Sequence, residues 1–537
     1  MKKKSIISLI LAGVFVVGTL GACTPTPAEP VAPTPPPAQA TTPAAPTPAP
    51  TPATPTPAES VAALGRGVVI ATANEAPSIT VGRHNSLTAG FKNLTTHNGL
   101  FRQDYATLTP VPDLVESWVA VSDTVFEFTI FEGIMFHNGD IMTAYDVAAS
   151  LEYMRTTPDA RSAQLSIESW EVLDEFTIRL DTGEPNAMLF TDLSHTGNFI
   201  VPMSLIEAGH DFGAQPVGSG PFVFEEWRLG DSLLFTAFDN YFDAPRAAKV
   251  EYLSWRIIPE GASRTIALEA GEVDYVVEVA FSDIPRLEAD PNVTVLQRPG
   301  TGHFSIILNT EVAPFDNMNV RRAIDMAINR DALSIAGFEG LSLPTNASVP
   351  TVFAGASTDN TRTFDPEAAI ALLAEEGFAA GDISFEMLID NEERRRMAEV
   401  AQSNLADIGI ETHITMNDMT ASLQRQADGN FEAAFGGFTA GSLLGFMRAM
   451  LTTEPERSNR SNIDHPDVNE LIFTALTTID LAAQQALLHE ASSIVNYYSF
   501  LVPTHQALVI RAFNSNLVSP EVSATGGMNL NMIYWAE

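Results

Sequence analysis

The chain is almost without cysteine: Cys23 is the only one in 537 residues. One thiol excludes an intramolecular disulfide framework and any zinc site built on cysteines. Basic residues are scarce too. Lys and Arg total 29 against 66 Asp and Glu, a formal net charge of −37. A surface of that sign repels nucleic acid, whose binding requires neutralisation of phosphates, so no nucleic-acid partner is expected. It also disfavours anionic lipid surfaces. There is no H-E-x-x-H, no G-x-S-x-G and no glycine-rich phosphate loop, so the common hydrolase and nucleotide motifs are missing. The ten histidines show no pair at a local metal-ligand spacing, and no metal or cofactor is expected. No unit of 20–50 residues repeats in tandem, which excludes a solenoid.

What is present begins at the N-terminus. Lys2, Lys3 and Lys4 precede the apolar run "SIISLILAGVFVVGTL", then Gly21, Ala22 and Cys23. A positive stretch, a short apolar core and small residues make a secretory signal. Its core is too short to read best as a spanning helix, and no later segment has the length and apolarity of one. The stretch "LGAC" resembles the lipobox of bacterial lipoproteins. That resemblance implies cleavage after Ala22, so residues 1–22 are a signal peptide, and lipidation of Cys23. A diacylglyceryl group supplies two chains, and burial of about 0.8 kcal/mol per CH₂ makes two chains a stable anchor where one is marginal. The chain is then expected outside the cell, held to the outer face of the membrane, or periplasmic in a two-membrane cell.

Residues 23–64 continue from the cysteine as a linker, almost entirely Pro, Ala and Thr from Thr24 to Glu59. Such a composition cannot bury a core. As polyproline II it would reach on the order of 100 Å, a semi-rigid spacer whose threonines are acceptable O-glycan sites.

The remaining length is enough for two or three domains. Val68–Ala71 reads as a short buried strand, while "DTVFEFTIF" (Asp123–Phe131) and "EFTIRL" (Glu175–Leu180) alternate as half-buried strands. Val320, Ile324, Ala327 and Ile328 share one helical face, and Asp365–Gly377 carries a Pro in its first turn and a Gly just past its end. Arg394–Ile410 reads as a helix turning into a strand, and His465–Tyr498 as two helices broken near Thr478. Strands and helices alternate, which predicts an α/β architecture.

Four stretches carry a closer likeness. They are "LVESWVAVSDTVFEFTIFEGIMFHNGDIMTAYDVAASLEYM" (Leu114–Met154), "PVGSGPFVFEEW" (Pro216–Trp227), "ASRTIALEAGEVDYV" (Ala262–Val276) and "LNTEVAPFDNMNVRRAIDMAINR" (Leu308–Arg330). In this order they resemble the family 5 extracellular solute-binding proteins of ABC transporters, which include oligopeptide-, dipeptide- and nickel-binding proteins. Asn317 stands where the family usually has Asp. Read locally, Asn138-Gly139 is a turn dipeptide, Thr143 with Asp146 forms a capping box, "GSGP" supplies tight turns, and Arg321 and Arg322 are placed to fix partner carboxylates.

The resemblance implies a two-lobed periplasmic-binding-protein-like fold of type II, its N-terminal lobe enlarged by an extra subdomain. The expected limits are 65–306 for the N-terminal lobe, 307–499 for the second lobe and 500–537 for the return. The implied function is capture of a small solute, oligopeptide- or dipeptide-like, between the lobes. Delivery would follow to permease subunits driven by cytoplasmic ATPases, by a protein that is a monomer and not an enzyme. A peptide-sensing receptor, or a binder of a metal chelate or sugar, is the alternative.

Peptide-binding members carry a loop like G-W-x-x-D-x-x-D-P whose first Asp pairs with the peptide amine. Here "FGGFTAGSLLGFM" (Phe435–Met447) fits at Gly436, Gly437 and Phe438, but Thr439, Ala440 and Gly441 follow and no Asp appears. Burying an ammonium without a carboxylate costs several kcal/mol, so either another acid supplies the contact or the ligand is not a standard free peptide. The candidate ligand-binding residues are Thr301, His303, Gly436, Phe438, Thr439, Arg460, Asn462 and His505. Arg460 would fork onto a carboxylate, or else pair with a surface acid.

Overall fold

The computed structural model describes residues 65–75, 95–157, 167–195, 197–452 and 463–536. Cys23 and the linker lie outside them.

Seventeen strands position the site. In chain order they are β1 (Val68–Thr72), β2 (Phe101–Gln103), β3 (Pro110–Pro112), β4 (Val115–Ala120), β5 (Val125–Ile130), β6 (Ser169–Val172), β7 (Thr177–Asp181), β8 (Phe222–Arg228) and β9 (Ser232–Ala237). They continue with β10 (Tyr252–Ile257), β11 (Tyr275–Val276), β12 (Val293–Leu308), β13 (Leu343–Pro344), β14 (Ile383–Ile389), β15 (Ile410–Met416), β16 (Ala433–Thr439) and β17 (Leu501–Asn514). The helices that matter below are α1 (Ala144–Thr156), α2 (Leu189–Leu193), α3 (Met318–Ala327), α4 (Arg330–Phe338), α5 (Pro366–Glu375), α6 (Glu392–Asp407), α7 (Leu443–Leu451), α8 (Pro466–Thr477) and α9 (Leu481–Tyr498).

Eleven strands form one mixed sheet in the order β15-β14-β16-β12-β17-β11-β1-β10-β9-β8, with β13 beside β17. Two strands run through it from end to end. The first part of β12, Val293–Pro299, pairs only with Leu508–Asn514 of β17. Its second part, Gly302–Leu308, pairs with β16 and with the first part of β17. The register slips between Pro299 and His303. On one side of that slip, apolar clusters around Trp255, Tyr275 and Phe222 and around Leu268, Val276 and Leu287 cover the sheet. On the other side, clusters around Phe446, Met447 and Leu451 and around Phe315, Phe385 and Met397 do so. Each half thus has clusters of its own, joined through the two long strands and through Leu108, Met188 and Ala524, which pack into the Phe446 cluster. A separate four-stranded antiparallel sheet, β4-β5-β7-β6, packs on α1 around Phe126, Phe128 and Phe136.

Local chemistry explains the boundaries. The Asp146 carboxylate accepts from the Thr143 amide at 2.8 Å and hydroxyl at 2.9 Å, closing the first turn of α1. Asn317 caps α3 by accepting from the Asn319 amide at 2.8 Å, and its amide donates to Glu376 at 2.6 Å. An aspartate there would face that carboxylate as a like charge, which accounts for the departure from the family pattern. Asp365 caps α5 before Pro366, and Gly377 past its end takes φ +86°. The break between α8 and α9 falls at Thr478.

The four motif stretches meet the fold through backbone. His137 Nε2 lies 3.0 Å from the Gly220 carbonyl, and its amide donates to the Gly218 carbonyl at 2.8 Å, so the first two stretches pack on each other. Arg264 is buried and donates to the carbonyls of Ile258, Pro259 and Glu278. Arg321 and Arg322 do not fix carboxylates: they donate to the carbonyls of Tyr498 and Tyr497 at the end of α9. A helix end leaves such carbonyls without intrahelical partners, and a guanidinium satisfies them.

Candidate functional site

The slip in register gathers several of the candidate residues. Gly302 stands opposite Thr439, and His303 stands opposite Phe438 on one side and Gln506 on the other. Thr301 is buried; its amide donates to the Ala524 carbonyl at 2.9 Å, and its hydroxyl has no hydrogen-bond partner among the described residues. His303 is buried with Nε2 2.7 Å from the Ala347 carbonyl, so that nitrogen carries the proton. Its ring meets Phe446 edge-on at 5.5 Å. Phe438, half-buried, lies 6.2 Å from the same Phe446, and Thr439 is exposed.

Two glycines here are packing requirements. A Cβ on Gly436 would sit 2.8 Å from Ile307 Cδ1, and one on Gly437 would sit 2.3 Å from the Phe304 ring and 2.5 Å from the His303 carbonyl. His505 follows the strand alternation to the other face of the sheet. It stacks on Phe304 at 4.7 Å with 7° between planes and touches Phe338 at 4.6 Å, and its buried Nε2 has no hydrogen-bond partner among the described residues. Thr301, His303, Phe438 and Thr439 therefore share one neighbourhood, Gly436 lies two residues before Phe438 and opposite Ser305, and His505 faces away. Arg460 and Asn462 lie outside the described residues.

Burial holds both imidazoles neutral. It lowers His303 to about 4 and His505 to about 3, the latter helped by the nearby His303 and Arg394. A depressed histidine stabilises the fold above its unfolded range and loses that contribution as pH falls through it. Between pH 7 and pH 5 each should cost about 2 kcal/mol of stability. We expect the thermal midpoint to drop over this range and the drop to shrink in His303→Gln. An equal drop in wild type and variant would refute the assignment.

Sequence reasoning did not single out the groups that tie the halves together. Gln506 is fully buried; its carbonyl oxygen accepts from the Thr351 hydroxyl at 2.7 Å, and its amide donates to the Gly300 carbonyl at 3.3 Å. Gln103 Nε2 donates to the Gly441 carbonyl at 2.9 Å, so the loop that lacks the acid is held by its backbone. The Ala187 amide donates to the Leu476 carbonyl at 2.7 Å. Leu108, on the β2–β3 hairpin, has φ +61° and is buried among Leu443, Leu444 and Phe353 of the second half. A leucine at positive φ costs of order 1–3 kcal/mol and persists because the contact holds it. Only Gln506, inside the expected return at residues 500–537, lay near a sequence signal.

A pocket of about 70 Å³ lies at this seam, lined by Leu108, Met188, Phe353 and Leu443 among others and by none of the candidate residues. A larger concavity of about 700 Å³ lies elsewhere, between Arg66, Lys249, Glu251 and Trp535, and none of the candidate residues lines it. Among the described residues no three His, Cys, Asp or Glu converge as a metal site, and no helix is long and apolar enough to cross a membrane.

Against known proteins, residues 109–454 match the family described as bacterial extracellular solute-binding proteins, family 5 Middle. The glutathione-binding protein GsiB of Pectobacterium atrosepticum is 25% identical over 412 residues, covering 74% of this chain and 80% of that protein. GsiB of Escherichia coli K12 is 26% identical over 423 residues, covering 75% and 82%. Among solved structures, HbpA2 from Haemophilus parasuis superposes with a TM-score of 0.81 at 22% identity, covering 88% of this chain and all of that one. DppA from Helicobacter pylori in complex with the peptide STSA gives 0.71 at 23%, covering 88% and 98%. NikA from Brucella suis in complex with Fe(III)-EDTA gives 0.77 at 22%, covering 87% and 99%.

Proposed function

The chain belongs to the bacterial extracellular solute-binding proteins of family 5, and from that premise we propose that its two halves close on a peptide-like solute and hand it to an ABC permease. The observation that supports this most is the pair of through-running strands, β12 and β17, which change partners together where Thr301, His303, Phe438 and Thr439 meet. Two cores joined by two strands can rotate about that line as a hinge. A ligand shifts the balance toward closure only by contacts made in the closed state. The Gln103–Gly441 and Ala187–Leu476 bonds join the two halves in that state.

The relatives named for glutathione make a γ-glutamyl peptide the first solute to test. The absent acid after Phe438 favours a solute whose amine is met elsewhere. In this reading the protein binds without turnover and works as a monomer. Its lobes are residues 65–306 and 307–499, with 500–537 returning to the first. Lipidated Cys23 and the Pro/Ala/Thr linker hold the body beside the permease.

The test uses the purified full-length chain. Glutathione or a short peptide at a hundred times its Kd should stabilise the fold by about 2.7 kcal/mol in a thermal-shift measurement. The ligand should be recovered chemically unchanged, and palmitate label should enter the chain but not its Cys23→Ala variant. Absence of a shift with any di- or tripeptide or glutathione sinks the peptide reading. Turnover of the ligand sinks the transport reading, and label in the variant sinks the anchor.

A further inference from the structure

The acid missing after Phe438 has a counterpart across the seam. Helix α7 begins just after that loop, and α2 of the first half lies against it: the Met188 methyl is 3.9 Å from where a Cβ on Gly445 would stand. On a helix the next residue on the same face is three or four positions on. From Gly445 that residue is Arg448, and from Met188 it is Asp192. Arg448 is the one charged group whose field pulls on the Asp192 carboxyl.

Neither side chain makes an ion pair or side-chain hydrogen bond among the described residues. Both are half-buried. Other arginines that lack an acid partner, such as Arg264, Arg321 and Arg511, spend their donors on backbone carbonyls, which Arg448 does not among the described residues. The acid is equally exceptional. Burial lifts the Asp192 carboxyl to about 7, with Arg448 drawing it back only in part. The nearest hydrogen bonds, from the Asn198 side chain at 2.5 Å and the His195 amide at 3.1 Å, go to its backbone carbonyl and leave the carboxylate open.

We propose that Asp192 and Arg448 together hold the zwitterionic head group of the solute, an ammonium and a carboxylate carried close together as on one α-amino acid carbon. The ammonium sits against Asp192 and supplies the counter-charge that burial has removed. The carboxylate takes the fork of Arg448 in two parallel hydrogen bonds. Each group lies one helical turn from the Met188–Gly445 approach, so the two ligand charges are close neighbours and not the far ends of an extended oligopeptide. A γ-glutamyl end has this form: its amine and carboxylate share a carbon, and the rest of the molecule leaves through the side chain. The inference rests on the peptide-like reading above and narrows it, moving the amine contact from the second half to the first.

Calorimetry on the full chain tests it with three probes: glutathione, N-acetylated glutathione and Ala-Ala-Ala. Wild type should bind glutathione at least tenfold more tightly than its N-acetylated form. Asp192→Asn and Arg448→Gln should each weaken glutathione at least tenfold with unchanged circular dichroism, and Asp192→Glu should recover part of the loss. Unchanged affinity in both variants overturns the inference and leaves the peptide-like reading in place, as does binding of Ala-Ala-Ala without glutathione. Binding of none of the three overturns both. Should a variant fail to fold, the two glutathione forms on wild type decide, and equal affinity for them overturns the proposal.

Discussion

Gly220→Ala is expected to destabilise the protein by about 3 kcal/mol or more. A Cβ at this position would lie 2.4 Å from the Thr96 carbonyl carbon, 2.6 Å from the His97 nitrogen and 2.8 Å from the Thr95 oxygen. All three are backbone atoms, so no rotamer change relieves the overlap. Nor can Gly220 retreat: its amide donates to the Thr96 carbonyl at 3.0 Å, and its carbonyl meets His137 Nε2 at 3.0 Å. Overpacking of a well-filled core costs typically 1–3 kcal/mol, and rigid neighbours push it to the top of that range or past it. Gly230→Ala is the control. It has φ +74° and nothing within 4 Å of the new atom, so only backbone strain of about 1 kcal/mol applies. Urea unfolding followed by circular dichroism separates the two; equal midpoints would show that the close approach is not real.

Arg330→Met should cost about 3–5 kcal/mol, the penalty for leaving a buried charge alone. Arg330 and Asp325 are both buried and paired, Arg330 Nε donates to the Pro503 carbonyl at 2.8 Å, and the Ser499 hydroxyl donates to Asp325 at 2.8 Å. The pair therefore clamps α3 and α4 onto β17. Burial raises Asp325, and Arg330 is the largest influence opposing it. Without Arg330 the folded carboxyl rises further and keeps a proton that the unfolded chain releases. The folded state then binds more protons than the unfolded one, so stability falls as pH rises through the unfolded carboxylate range. The deficit of the variant against wild type should be largest near neutrality and shrink toward pH 4. A deficit independent of pH would mean that lost packing, and not a stranded charge, sets the cost.

Much of the architecture was legible because periodicity and capping are local. The alternation of Val125–Ile130, the face of Val320, Ile324 and Ala327, and the caps at Thr143 and Asp365 each need only a few neighbouring residues. The partners of Arg321 and Arg322 were not legible. An acid-rich composition points to carboxylates, whereas the carbonyls at the end of α9 come from more than 170 residues away. The same distance hides why "FHNG" and "GSGP" are needed: each looks like a turn, and their contact with one another is tertiary. In the candidate site, Thr301 and His303 reach Phe438 and Thr439 through strand register, which no single segment encodes. Leu108, Asp192 and Arg448 come from a hairpin and two helices with no common spacing. The absence of an acid after Phe438 was visible in one line of sequence. Its counterpart was visible only once α2 lay against α7.

The position of β17 bears on how the chain is made. It lies between β12 and β11, at the centre of the sheet in both halves, and it is built from residues 501–514. Synthesis delivers this strand after every strand it pairs with, β11, β12 and β13. Until then β11 has no neighbour on that side, and β12 has none along Val293–Pro299. The sheet therefore zips shut only once residues 501–514 have joined it, and until then the polypeptide stays without the strand that both halves share.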